Sequence, residues 1–114
     1  MLNAKPGDPF NPDCPSRELM ELLGSRWTLL IFCALADGPR RSGELERMLK
    51  GVSRRVLTER LRQLEQFRLV QRTSYSEVPP RVDYRLTDHG VALAALVRKL
   101  EQWLIETYPE LTAP

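Results

Sequence analysis

At 114 residues, with 42% hydrophobic and 28% charged side chains, the chain has the size and composition of one globular domain. No run approaches the roughly eighteen apolar residues that a membrane span requires. A single histidine, His89, leaves little for acid–base or metal chemistry, and two cysteines without CxxC or Cys/His spacing argue against structural zinc. The net charge of +2 conceals an asymmetry: residues 40–81 carry eleven Lys and Arg against five Glu, a local balance of +6, while the rest of the chain stands at −4. Focused basicity of this kind steers a protein toward a polyanion, whereas an even spread gives only solubility.

Residues 1–13, MLNAKPGDPFNPD, show no hydrophobic period and hold three of the nine prolines, so they are expected to form a flexible arm. They are also too polar for a secretory leader, and a cytoplasmic location is expected. Cys14-Pro15 is expected to open the first helix, with Pro at the first helical position and Leu19, Met20, Leu22 and Leu23 as its apolar face, closed by Gly24. Ser25 is expected to cap a helix over 26–36 that is apolar on nearly every side and therefore central. After the stop at Asp37-Gly38-Pro39, Ser42 is expected to cap a short helix over 43–49, with Glu44 and Glu46 in its first turn and Leu45, Met48 and Leu49 inward.

Lys50-Gly51-Val52 then supplies a tight turn, and GVSRRVLTERLRQLE (51–65) reads as one helix with two incompatible faces. Val56, Leu57, Leu61 and Leu64 recur at three-and-four spacing and seat it on a core. Arg54, Arg55, Thr58 and Arg62 share the outward face, and Ser53 suits the N-cap. Two short β-prone runs, 69–74 and 82–86, follow on either side of SEVPPR, whose prolines cannot join a ladder and mark a loop. A last helix over about 88–108, capped by Thr87, carries a heptad-like stripe that includes Leu96, Leu100, Trp103 and Leu104.

Helix, turn, basic helix and hairpin in this order describe a mainly α fold with a small β-hairpin wing, the winged helix-turn-helix, whose second motif helix enters the DNA major groove. Ser53, Arg54, Arg55, Thr58 and Arg62 are the candidates to read or clamp that groove, and Lys50, Arg72 and Arg81 to take phosphates or the minor groove. Leu19, Leu96, Leu100, Trp103 and Leu104 are the candidate contacts of a homodimer joined through the terminal helices. Cys14 is the candidate redox or electrophile sensor, because a helix N-terminus favours a thiolate, although Asp13 and Glu18 oppose the anion; Cys33 on its apolar helix is expected to be inert core. His89 receives no role. No cofactor or metal is expected, and no enzyme: a thiol enzyme built on Cys14 would lack a base. The rival reading is a winged-helix protein-interaction module that presents its basic face to an acidic partner.

The motifs together resemble the HxlR-type family of bacterial winged-helix transcription regulators, near the MarR-like proteins. The likeness runs from Cys14 onward and rests on Cys14-Pro15, LLGSRWTLLI (22–31), GVSRRVLTERLRQLE (51–65) and YSEVPPRVDYRLTDHG (75–90). It implies a homodimer on a near-palindromic operator, with the helix after Ser53 in the major groove, and it places Cys14 where some relatives carry a thiol that senses oxidants, quinones or aldehydes. Departures include Ser42, where relatives often have an aromatic residue, and Gly24-Ser25-Arg26-Trp27 in place of Gly-Gly-Lys-Trp. Arg68 stands where relatives usually place a glycine with positive φ, a conformation that costs an arginine about 1 kcal/mol.

Overall fold

A computed structural model describes residue 8 and residues 10–114, so most of the expected N-terminal arm lies outside the described residues. The elements in chain order are α1 (Arg17–Leu23), α2 (Thr28–Leu35), β1 (Arg40–Arg41), α3 (Ser42–Met48), α4 (Arg54–Gln66), β2 (Val70–Tyr75), β3 (Arg81–Leu86) and α5 (Asp88–Leu111). This is the expected mainly helical winged architecture with a small sheet.

α2 is the hub. Its Ile31 and Phe32 are fully buried, and Leu45 of α3, Leu57, Leu61 and Leu64 of α4, Val70 and Tyr84 of the sheet, and Ala94 and Val97 of α5 close around them. Truncating one of these leucines to alanine typically costs about 2–5 kcal/mol, so the inward face of α4 is fixed far more firmly than surface contacts would fix it. An Arg98–Asp37 ion pair at 2.7 Å adds a surface tie between α5 and the loop after α2.

The sheet is antiparallel in the order β1-β3-β2. The third strand, β1, was not expected: two residues are too few to show a period, and they become a strand only by pairing Arg40 with Tyr84 and Arg41 with Asp83. In the hairpin, Val70, Arg72 and Ser74 pair with Leu86, Tyr84 and Val82, while Gln71, Thr73 and Tyr75 pair with Arg85, Asp83 and Arg81. Directly paired residues share a face and successive residues alternate, so Arg72 and Arg81 lie on opposite faces of the wing.

Several boundaries differ from expectation. The first helix begins at Arg17, after a turn in which Cys14 O accepts from Arg17 N at 2.9 Å, so Cys14-Pro15 precedes the helix and does not open it. α2 begins at Thr28 and Ser25 does not cap it. The Ser25 hydroxyl donates back to Leu22 O at 2.6 Å and meets the Thr28 hydroxyl at 2.9 Å, while the cap position falls to Trp27 at φ 81°. Ser42 is the first residue of α3; the cap is Arg41, whose backbone N–H donates to the Glu44 carboxylate at 3.0 Å. That bond, followed by the neighbouring arginine charges, holds Glu44 below the usual carboxylate range. α5 runs through Pro109, which removes one N–H from its ladder, to Leu111, and Thr112 closes it on Tyr108 O.

The end of α4 and the start of α5 are joined backbone to backbone. Leu69 N donates to Leu64 O and Arg68 N to Glu65 O, a Schellman closure that requires the left-handed φ of 59° at Arg68. The Thr87 hydroxyl donates to Arg68 O at 2.6 Å and accepts from Gly90 N at 3.1 Å. The strain at Arg68 is therefore offset inside the fold. Gly90 sits so close to this joint that a Cβ there would stand 2.0 Å from Leu69 O.

Candidate nucleic-acid interface

The turn between α3 and α4 is short and left-handed at its centre. Leu49 N donates to Leu45 O, Val52 N donates to Leu49 O, and Gly51 takes φ 98°, which a side chain would resist. Ser53 then caps α4 as expected, its hydroxyl accepting from Val56 N at 3.1 Å. With Leu57, Leu61 and Leu64 held in the core, the helix has no rotational freedom, and Arg55, Thr58 and Arg62 emerge as one exposed stripe at i, i+3 and i+7. Among the described residues, Arg55 and Arg62 make no ion pair and no side-chain hydrogen bond; the same holds for Lys50 on the turn and Arg72 on the wing, both exposed.

Two expected contacts differ. Arg54 is exposed, but its Nε donates to Glu46 Oε1 of α3 at 3.0 Å. An exposed pair of this sort is worth about 0–1 kcal/mol, so a phosphate can displace it, yet in this state Arg54 is partnered. Arg81 differs more. It is half-buried, stacks over the Tyr75 ring at 4.0 Å, and lies 3.7 Å from the Glu77 carboxylate and 3.6 Å from that of Asp83. Asp83 also faces Arg41 at 4.0 Å. In this state Arg81 therefore has partners within the wing, the Tyr75 ring and the Glu77 and Asp83 carboxylates.

The same region contains cations whose position the sequence alone does not show. Arg41 and Arg47 line, with Arg81 and the first turn of α3, a basic cleft of about 310 Å³ between α3 and the wing tip. The Arg40-Arg41 pair before a capped helix was the available signal. Arg60 on α4 turns away from the stripe, donating to Gln63 Oε1 at 3.2 Å.

On the opposite side of the fold, Leu96, Leu100, Trp103 and Leu104 of α5 are exposed, together with Met20 of α1 and Leu30 of α2, whereas Leu19 is partly buried against its own core. Between α2 and α5 runs an apolar groove of about 300 Å³ lined by Leu29, Leu30, Cys33, Val97, Leu100 and Leu104, with Glu101 at its edge. Cys33 therefore lines a groove rather than the inner core. Its thiol donates to Glu101 Oε2 at 3.3 Å, and burial, then that carboxylate, pushes it up to about 11, which keeps it protonated and unreactive at neutral pH. Cys14 is only 4% exposed and lies 3.2 Å from the Ser16 hydroxyl. His89 is exposed. Among the described residues no helix is long and apolar enough to cross a membrane, and no three metal-binding side chains cluster.

Comparison with known proteins agrees with this geometry. The model of the HxlR-like helix-turn-helix family matches residues 22–111. The chain is 39% identical over 109 residues to an uncharacterised HTH-type transcriptional regulator of Escherichia coli, YtfH, a match that covers 96% of this chain and 86% of that protein. A solved protein described as a candidate transcriptional regulator, ytfH from Salmonella typhimurium, superposes with a TM-score of 0.85 at 40% identity, covering 91% of this chain and 93% of that one. The reduced form of the redox regulator HypR superposes with a TM-score of 0.80 at 31% identity, over 88% of this chain and 99% of that one. These relatives bear the names of regulators, not of enzymes.

Proposed function

The chain belongs to the HxlR-like helix-turn-helix family, and on that basis we propose that it is a sequence-specific transcription regulator that binds double-stranded DNA as a homodimer on a near-palindromic operator. One observation carries the reading: Arg55, Thr58 and Arg62 stand exposed on a helix whose other face is locked into the core, and among the described residues no carboxylate pairs with the two arginines. An arginine fork matches the two acceptors on the major-groove edge of guanine, and unpaired cations release counterions from a duplex. Lys50 and Arg72 take phosphates beside the groove, Ser53 and Arg54 contact the backbone at the helix start, and Arg54 exchanges Glu46 for a phosphate.

The exposed apolar stripe of α5 supports self-association through Leu96, Leu100, Trp103 and Leu104, with Leu19 of α1 as a further proposed contact. A two-fold axis then presents two recognition helices to half-sites about 34 Å apart. We place the protein in the cytoplasm, where both cysteines rest as thiols. Cys14 is the proposed point of modification by an oxidant or electrophile, a reading supported by the redox regulator among the structural relatives. Because the thiol is buried, its modification requires the turn before α1 to open, which would disturb α1.

Selection of bound duplexes from random DNA, followed by salt titration, tests the proposal. The expected result is enrichment of a dyad-symmetric sequence, bound at least about 10³-fold tighter than random duplex, with log affinity falling linearly against log salt. Failure to enrich any sequence would leave the basic face to a protein partner and remove the assignment. Including a thiol oxidant and Cys14→Ser in parallel tests the sensor: release by oxidant is expected in the wild type and not in the variant.

A further inference from the structure

Trp27 holds a left-handed backbone conformation in the turn between α1 and α2. At φ 81° it lies in the left-handed region, where a bulky aromatic residue is strained and where glycine or asparagine would sit more easily. Such a conformation persists only when the surroundings over-determine it. The indole supplies the reason. Its Cη2 lies 3.6 Å from the point where a Cβ on Gly51 would stand, so the ring covers the bare backbone of the turn between α3 and α4 at van der Waals distance.

Two left-handed residues, one ahead of α2 and one ahead of α4, thus meet at the point from which the recognition helix is launched. From below, the ring packs on the core, and the Arg26 guanidinium stands over it at 5.0 Å. On either side of Trp27, the bonded hydroxyls of Ser25 and Thr28 fasten the strained turn. A relaxed, helical residue 27 would point its side chain in another direction and leave the Gly51 turn uncovered.

We propose that Trp27 is a positioning residue for the recognition helix. It touches no DNA. It acts as a strut that fixes the turn at Gly51, and through Val52 and Ser53 fixes where the first turn of α4 carries Arg55. The consequence for DNA rests on the function proposed above, whereas the consequence for the turn does not.

Two substitutions separate the ring from the turn it stands on. Trp27→Asn keeps a residue that tolerates the left-handed region and removes the ring; Trp27→Phe keeps a ring on the same backbone. Amide hydrogen exchange on the full chain reads the effect without DNA. The expected result for Trp27→Asn is that the amides of Val52, Val56 and Leu57, all hydrogen-bonded in the structure, exchange at least about tenfold faster than in the wild type, while those of α5 do not change and Trp27→Phe, whose shorter ring lacks the Cη2 edge that meets Gly51, accelerates the same three amides by less than Trp27→Asn does. Unchanged protection at these three amides, or equal acceleration in α5 and α4 from a mere loss of stability, would overturn the strut. On DNA, Trp27→Asn should lower the ratio of enriched-duplex to random-duplex affinity by at least about tenfold, with random-duplex affinity retained because every cation is still present. An unchanged ratio would also overturn it. If the wild type enriches no sequence, the DNA reading alone fails and the exchange result still decides the strut.

Discussion

The stripe on α4 and the outer face of the wing carry the same chemistry in the sequence and opposite states in the fold. Arg55 and Arg62 stand exposed without ion-pair or side-chain hydrogen-bond partners among the described residues, whereas Arg81 is stacked on Tyr75 and flanked by Glu77 and Asp83. The difference lies in what is opposite. α4 turns Arg55 and Arg62 to solvent because its leucines fill the core, while β3 places Asp83 two residues from Arg81 and the hairpin pairs Arg81 with the Tyr75 ring. A basic residue is most open to a polyanion where the fold leaves its charge unanswered.

Substitutions sharpen this contrast, beginning with the joint that supports both regions. Gly90→Ala drives a methyl group into the Leu69 carbonyl, and a loss of about 1–3 kcal/mol or more in urea unfolding is expected. Arg55→Ala should weaken the enriched duplex by about 1–3 kcal/mol and relax preference at one base pair, as measured by titration against single-base variants. Arg81→Ala should leave the salt slope of DNA binding unchanged, in contrast to a reduction of about 1 for a true phosphate contact; a reduction of that size would place Arg81 in the interface. Glu46→Gln releases Arg54, and random-duplex affinity should rise by no more than about 1 kcal/mol.

The smallest effect is a matter of pH. Because the Cys33 thiol is raised from 9.0 to about 11 in the folded chain, the folded state holds its proton more tightly than the unfolded state. The resulting stability is fully present below pH 9 and lost as pH rises toward 11. Cys33→Ser, which does not ionise there, should flatten that alkaline loss in thermal melts, and wild-type Cys33 should alkylate slowly at neutral pH.

What was legible in the sequence depended on local pattern. The three-and-four leucine spacing of α4, the Ser53 and Thr87 caps and the hairpin around two prolines required only neighbours along the chain, and they stand in the structure as read. The left-handed Arg68 was legible through the glycine of its relatives. The misplaced features needed distant partners. β1 exists only against β3, Arg81 stacks on Tyr75 across the hairpin, Cys33 meets a carboxylate on α5, and Trp27 takes its strained conformation beside a turn 24 positions away in the sequence. Ser25 and Ser42 have the chemistry of caps, but the chain enters each helix at a neighbouring residue and uses the hydroxyl or the first turn differently.

The most direct test of the account is the salt dependence of binding to the enriched duplex, measured for the wild type and for the Arg55→Ala, Arg62→Ala double variant. The account predicts that the variant keeps its fold, loses most of its preference over random DNA and, to the extent that these residues meet phosphates, gives a slope reduced by about 0.9 per contact removed. A variant that retained both the preference and the slope of the wild type would contradict it.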